Sequence, residues 1–92
     1  MMISNFPESL NIYVFTTKYV LNEGSPIVYV SHDDDGDWQF LGKEKGLGEE
    51  DAKVISLGEM IEHDPSIKEI AHLPLGKKAI RENIYSPWSI LD

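Results

Sequence analysis

The chain of 92 residues contains no cysteine, which excludes disulfide bonds, thiolate nucleophiles and thiolate metal ligands. No apolar run approaches the ~20 residues that a membrane-spanning helix needs. The first residues lack both a basic stretch and a long apolar stretch, so we expect no secretory signal and a cytoplasmic location. Basic residues are scarce, since eight lysines and arginines oppose sixteen aspartates and glutamates.

The resulting net charge of −8 argues against two classes of partner. Nucleic acids and anionic membranes carry the same sign of charge as this chain and would repel it. A basic protein, or a partner without charge, fits the composition better. The sequence does not indicate an oligomeric state.

The negative charge is concentrated in the middle third of the sequence. Residues 32–64 hold eleven of the sixteen acidic residues and only three of the eight basic ones, which gives this segment the whole net charge of −8. The densest part is the run His-Asp-Asp-Asp-Gly-Asp over 32–37. In one folded domain, this asymmetry predicts a strongly negative region and favours a binding function.

The rest of the composition is that of one small globular domain, predicted over residues 1–92. Hydrophobic residues make up 41% of the chain and charged residues 26%, enough for a core and for solubility. Residues 1–10, which Pro7 interrupts, are predicted to form a loose lead-in.

A strand and then a short helix are predicted at the start of the domain. Residues 11–15 are rich in β-branched and aromatic side chains, which is typical of a strand. Thr16 or Thr17 is then expected to cap a short helix that Gly24 ends. The alternative is that the strand continues through Leu21.

A β-hairpin is predicted next. The apolar run 27–30 reads as a buried strand, and the alternating run 37–41 places Trp38 and Phe40 together on the core face. Asp35–Gly36 is a strong signal for a two-residue turn between them. The acidic cluster is therefore expected at the tip of the hairpin.

The second half of the chain is predicted to hold two more strands and two helices. Ser56 and Glu59 fit a capping box, and Asp64–Pro65 fits the cap and first position of a further helix. In order, we expect a glycine-rich loop over 42–51, a strand over 53–57, helices ending by 64 and before 73, and a strand over 77–84. This order predicts an α+β domain, a mainly antiparallel sheet with short helices packed on one face.

No motif indicates catalysis or a bound cofactor. The histidines at 32, 63 and 72 lack the spacing of metal ligands, and there is neither a Gly-x-Ser-x-Gly elbow nor a phosphate-binding loop. With Gly36 at the sixth position of an EF-hand loop, the first and twelfth positions are a serine and a glycine, which fails two of the ligands. We therefore predict no catalytic residue, no metal ligand and no cofactor.

A set of short motifs resembles, in its order, one family of bacterial domains. The motifs are Thr17-Lys18-Tyr19-Val20-Leu21 before Gly24, Val28-Tyr29-Val30, Gly36-Asp37-Trp38-Gln39-Phe40 before Gly42, Asp64-Pro65-Ser66-Ile67 and Leu73-Pro74-Leu75-Gly76. Over about residues 12–88, the chain resembles domains of unknown function that are grouped with immunity proteins of polymorphic toxin systems, the immunity protein thirty-three type. The resemblance implies a cytoplasmic, non-enzymatic protein that neutralises a cognate toxin domain. It assigns no binding residues.

The acidic segments form the predicted partner-binding surface. A basic surface on a toxin domain, such as the active site of a nuclease, would be attracted to them. The predicted partner-binding residues are Asp33, Asp34, Asp35, Asp37, Glu49, Glu50 and Asp51.

Two other functions fit the same sequence. The carboxylates of 33–37, with His32 nearby, are compatible with a divalent-cation-binding domain or a small metal-dependent hydrolase. The chain also fits a structural accessory subunit that uses an exposed sheet edge or the tail around Trp88.

Overall fold

The strand-forming segments of the sequence pair into one six-stranded sheet. The computed structural model describes residues 5–91. In chain order the elements are β1 (Tyr13–Thr17), α1 (Lys18–Asn22), β2 (Tyr29–His32), β3 (Trp38–Leu41), a 3-10 helix (Glu49–Asp51), β4 (Ala52–Ser56), α2 (Leu57–His63), a second 3-10 helix (Pro65–Ile70), β5 (Lys77–Ile80) and β6 (Ser89–Leu91).

The strands lie in the order β4-β1-β3-β2-β5-β6. Among the described strand pairs, β1 with β3 is parallel and the others are antiparallel. Residues of α1, α2 and the second 3-10 helix join residues of the sheet in one hydrophobic core. The predicted α+β fold, with a mainly antiparallel sheet and short helices, is confirmed.

A threonine cap decides between helix and strand after β1. Thr17 has an extended backbone, and its hydroxyl accepts a hydrogen bond from the Val20 N–H at 3.2 Å. This satisfies one of the free N–H groups of the first helical turn. α1 ends at Asn22, and Gly24 follows in the left-handed region with φ 71°. The predicted helix is confirmed, and a strand continuing through Leu21 is wrong.

The predicted hairpin is confirmed by the antiparallel pairing of β2 with β3. Its turn is longer than the predicted two-residue turn, because Gly36 N–H donates to Asp33 O and Asp33 N–H donates to Asp37 O, both at 2.8 Å. Gly36 has φ 96°, a conformation that side chains with a Cβ rarely adopt. The loop is therefore of the three-residue kind that ends in a left-handed glycine.

Capping side chains begin both helical segments of the second half. The Ser56 hydroxyl accepts from the Glu59 N–H at 3.1 Å, and the Glu59 carboxylate accepts from the Ser56 N–H at 3.3 Å, which confirms the capping box. Asp64 accepts from the Ser66 N–H at 3.0 Å. The segment that Asp64 caps, Pro65–Ile70, is a 3-10 helix, the tighter form that is common in short segments.

The C-terminal part of the sheet differs from the prediction. β5 ends at Ile80 and not at Ile84, and Arg81 makes the next backbone bond to the β2 side through its N–H to Val28 O at 3.0 Å. β6 was not predicted and pairs with β5 at the edge of the sheet. Three residues form too short a run for a periodic pattern to show.

The core lies between the sheet and the helices. Trp38 and Phe40 alternate onto this face of β3 and are completely buried, as predicted. Phe6 is buried beside them, with its ring 5.1 Å from the Trp38 ring in edge-to-face geometry. Residues 5–10 form neither helix nor strand, yet Phe6 attaches them to the core. The remainder of the predicted lead-in, residues 1–4, lies outside the described residues.

Arg81 joins three segments at the margin of this core. Its side chain is 1% exposed. Its Nε donates to Ile27 O at 2.9 Å, and its other nitrogens donate to Ser66 Oγ at 2.9 Å and to the Asp64 carboxylate at 3.1 Å. The Trp88 ring covers the guanidinium at 4.2 Å. A buried charge needs such partners because its desolvation is costly, so the Asp-Pro-Ser segment has a structural role.

Replacement of phenylalanine by alanine should lower the free energy of unfolding by different amounts on the two faces of the sheet. Phe40→Ala removes a completely buried ring from the central strand and is expected to lower the free energy of unfolding by about 3–5 kcal/mol. Phe15, on the opposite face, is 37% exposed, so Phe15→Ala should cost less than about half as much. Urea unfolding monitored by circular dichroism measures both. Equal costs would contradict the assignment of the two faces.

Candidate binding site

The face of the sheet opposite the helices is open. Alternation along β1 and β3 places Phe15 and Gln39 on this face, and the parallel pairing sets them side by side. Tyr13 and Val54 belong to the same face and are 73% and 54% exposed. A contiguous exposed apolar surface of this kind is typical of an interaction site.

A groove of about 440 Å³ runs along the junction of β1 and β3 on this open face. The hairpin loop borders one end, and the glycine-rich loop borders the other. The large apolar side chains of its lining are Phe15, Leu41 and Leu47, and its acidic lining consists of Asp33, Asp35, Asp37 and Asp51. The fold therefore brings four of the seven predicted binding residues into one groove.

The hairpin tip is held in place by its own carboxylates. The Asp33 carboxylate accepts hydrogen bonds from the Ser31 hydroxyl and, at 2.8 Å, from the Gln39 side-chain amide. Asp35 Oδ1 accepts from the Asp37 N–H at 3.0 Å. Asp35 and Asp37 are exposed, and neither forms an ion pair with a described residue. Their charges are therefore available to a partner.

Asp51 differs from the other predicted binding residues because it is 7% exposed and is engaged within the chain. Its carboxylate accepts from the Gly48 N–H at 2.9 Å and lies 3.1 Å from the Lys18 ammonium. The Tyr19 hydroxyl is 3.4 Å away. Asp51 thus anchors the glycine-rich loop to α1, and its charge is already compensated.

The other three predicted binding residues lie outside the groove lining. Asp34, Glu49 and Glu50 are exposed, Asp34 on the hairpin tip and the two glutamates at the start of the first 3-10 helix. These carboxylates add to the long-range field around the groove without lining it.

Two lysines reduce the negative potential near the hairpin. Pairing of β5 with β2 sets Lys77 opposite His32 and Lys78 opposite Ser31. In the sequence both lysines lie outside the acidic segment, and the fold returns them to its edge. The charge of the region is therefore less extreme than a count along the sequence indicates.

Two carboxyl groups of the groove have pKa values below the ordinary aspartate range. For Asp33 the main cause is the hydrogen bond from Ser31. For Asp51 it is the hydrogen bond from the Gly48 N–H, followed by that from Lys18. Each contact stabilises the ionised form, so the folded chain keeps these charges to a lower pH than the unfolded chain does.

His32 packs behind the hairpin and not among the aspartates. Its ring stacks on Trp38 at 3.9 Å, and its Nδ1 is 2.7 Å from Leu73 O. Its Nε2 lies 3.6 Å from the Glu8 carboxylate, to which Trp38 Nε1 also donates at 2.9 Å. Within residues 5–91, no three histidine, aspartate or glutamate side chains are placed together so that they could hold a metal ion.

The apolar part of the groove was missed in the sequence. Phe15 was assigned to a strand without a face, although its alternation with the apolar Val14 is a usable signal. Leu41 follows in the same way from the inward aromatic residues of β3. Leu47 lies in the glycine-rich loop, and no local pattern indicates that this loop reaches the groove.

Comparison with known proteins identifies no relative of this chain that would assign a function to the groove. No family model, no curated protein and no solved structure matches the chain. The resemblance to the immunity protein family therefore stays a prediction. In the part of the chain that the structure describes, no helix has the length and apolar character needed to cross a bilayer.

The causes of the two depressed pKa values can be separated by substitution. Ser31→Ala should raise the pKa of Asp33 towards the ordinary value of about 4 and leave the pKa of Asp51 unchanged. Lys18→Met should leave the pKa of Asp33 unchanged and raise the pKa of Asp51 in part, because the hydrogen bond from the Gly48 N–H, the larger cause, remains. Titration of the carboxyl carbons by NMR measures both groups in one sample. A rise of both pKa values in either variant would contradict the assignment.

The lowered pKa of Asp33 contributes to the dependence of stability on pH. Because the folded-state pKa of Asp33 is depressed, its ionised form stabilises the fold above the ordinary aspartate pKa, and this contribution is lost as the pH falls through the folded-state pKa. Below about pH 4, the free energy of unfolding of the Ser31→Ala variant should therefore fall less steeply with decreasing pH than that of the parent chain. Urea unfolding at a series of pH values measures both. Equal slopes for the two chains would contradict this.

Proposed function

We propose that this chain is an acidic, non-enzymatic binding protein of immunity type, which neutralises a basic toxin domain in the cytoplasm. The observation that carries the proposal is the groove on the open sheet face. It combines an apolar floor with two exposed carboxylates, Asp35 and Asp37, that have no cationic partner among the described residues. A surface that is both apolar and negative suits a partner that is both apolar and positive.

The charge distribution supports this proposal through association rate and exclusion. The net charge of −8 draws a cationic partner towards the chain, and the exposed Asp34, Glu49 and Glu50 extend the field beyond the groove. An active site that holds phosphate is cationic, so carboxylates placed on it occupy the position of its substrate. Neutralisation then requires binding alone.

Asp51 supports the site indirectly. Its contacts with Gly48 and Lys18 hold the loop that carries Leu47, which forms part of the apolar lining. In this proposal the predicted binding residues divide into two groups. Asp35 and Asp37 meet the partner in the groove, and Asp33 and Asp51 maintain the shape of the groove.

A structural accessory subunit is the second candidate. It is favoured by exposed apolar side chains at and near the edge strand β6. Ile90 and Leu91 of β6 are 58% and 41% exposed, and Tyr85 is 91% exposed. That function predicts a stable complex that forms through β6 and does not depend on salt. The carboxylates of the groove play no part in it.

The proposal predicts a salt-dependent and charge-dependent rescue. Candidate partners are the C-terminal domains of any secreted proteins encoded beside the gene for this chain, each expressed together with the chain in a sensitive bacterial host. The parent chain should restore growth. Surface plasmon resonance should give an association rate that falls by about 10-fold between 50 and 300 mM salt, because the encounter is electrostatically steered.

The double variant Asp35→Asn/Asp37→Asn should lower the association rate and reduce its dependence on salt. The matched control is Glu62→Gln/Glu69→Gln, which removes the same charge from exposed positions on the helical side. Salt-independent binding, or an equal loss in the control, would defeat the proposal. Binding that β6 substitutions abolish, with the groove variants unchanged, would favour the accessory subunit.

A further inference from the structure

We infer that the groove on the open sheet face receives an arginine side chain of the partner, with its alkyl stem on the apolar lining and its guanidinium between Asp35 and Asp37. This inference rests on the proposed function for the partner, but the site itself can be tested without that partner.

The apolar lining accounts for the stem. Phe15 is 37% exposed and Leu47 is 38% exposed, and with Leu41 they line the same groove. The groove volume of about 440 Å³ is within the ~300–1,000 Å³ of sites that hold small groups. Long cationic side chains bury their methylene stems on apolar surfaces and leave the charged end in a polar environment.

The carboxylates that have no ion-pair partner among the described residues determine towards which end of the groove the guanidinium lies. At the loop end of the groove, Asp51 is paired with Lys18 at 3.1 Å. At the hairpin end, Asp35 and Asp37 form no ion pair with a described residue. A cation in the groove is therefore attracted to the hairpin end.

The chemistry of the hairpin end favours arginine over lysine. Two carboxylates two positions apart offer several acceptor oxygens, and a planar guanidinium has five donors in a fixed fork. Bidentate arginine–carboxylate pairs are stronger than contacts of a point charge. Arginine is accordingly frequent at the positions that dominate binding in protein interfaces.

The acceptor end is preorganised. The turn is closed by the two backbone bonds of Asp33, at 2.8 Å each, and by the Asp35 side chain on the Asp37 N–H at 3.0 Å. The Gln39 side-chain amide donates to the Asp33 carboxylate at 2.8 Å. This bond holds Gln39, which lies between the hairpin loop and the apolar side chains of the groove. A site whose groups are already ordered loses less entropy when it binds a ligand.

The test is a titration of the ¹⁵N-labelled chain with N-acetyl-arginine amide, followed by NMR. Shifts should be confined to the groove, with a dissociation constant on the order of millimolar, because one side chain offers few contacts. The residues expected to shift are Phe15, Asp35, Asp37, Gln39, Leu41 and Leu47. N-acetyl-citrulline amide, which has a similar shape without the charge, should bind at least 10-fold more weakly. N-acetyl-lysine amide should bind several-fold more weakly than the arginine compound.

The variants separate the groove from general electrostatic attraction. Asp37→Asn and Phe15→Ala should each weaken arginine binding by several-fold. The matched control is Asp34→Asn, which removes the same charge from the same hairpin tip but lies outside the groove lining. Because Asp34 contributes only to the long-range field around the groove, Asp34→Asn should weaken arginine binding less than Asp37→Asn does. Circular dichroism of each variant confirms that it is folded.

Four results would overturn the inference. The first is the absence of shifts at tens of millimolar arginine compound, and the second is binding of the citrulline or lysine compound as tight as that of the arginine compound. The third is an equal loss of arginine binding in Asp34→Asn and Asp37→Asn. The fourth is a shift of the groove residues when the concentration of the chain alone is raised. The last would mean that a second copy occupies the groove. Arginine binding without rescue of growth would reject the proposed function and keep the arginine site. Rescue of growth without arginine binding would keep the proposed function and reject the arginine site.

Discussion

The burial of Trp38 and Phe40 is the constraint on which the rest of the molecule depends. β3 lies in the interior of the six-stranded sheet, with β1 on one side and β2 on the other. Because side chains alternate along a strand, two aromatic residues held in the core force Gln39 and Leu41 onto the opposite face. A shift of one residue in this strand would expose both rings, so the register is strongly determined.

The candidate site is a consequence of that register. The outward residues of β3 stand beside Phe15 of β1, and the hairpin loop continues the same face with Asp33 and Asp37. α1, α2 and the second 3-10 helix contribute to the other face, so the outward face keeps both its apolar side chains and its carboxylates. The covered face thus provides the stability, and the open face stays exposed to solvent.

Local chemistry made part of this predictable. The Thr17 cap, the Ser56–Glu59 capping box and the hairpin depend on residues a few positions apart, and each was found. The parallel pairing of β1 with β3 and the edge strand β6 join distant segments, so no local pattern revealed them. For the same reason the sequence located the carboxylates but not the groove, the Lys18–Asp51 pair or the two lysines of β5 beside the hairpin.

Hydroxyl-radical footprinting with mass spectrometry tests the central claim most directly, because it reports the solvent exposure of individual side chains. The account predicts rapid labelling of Tyr13, Phe15 and Leu47 on the open face. Trp38 and Phe40 should stay unlabelled, although indole is among the most reactive groups. Labelling of Trp38 at a rate near that of Tyr13, with Phe15 protected, would contradict the account.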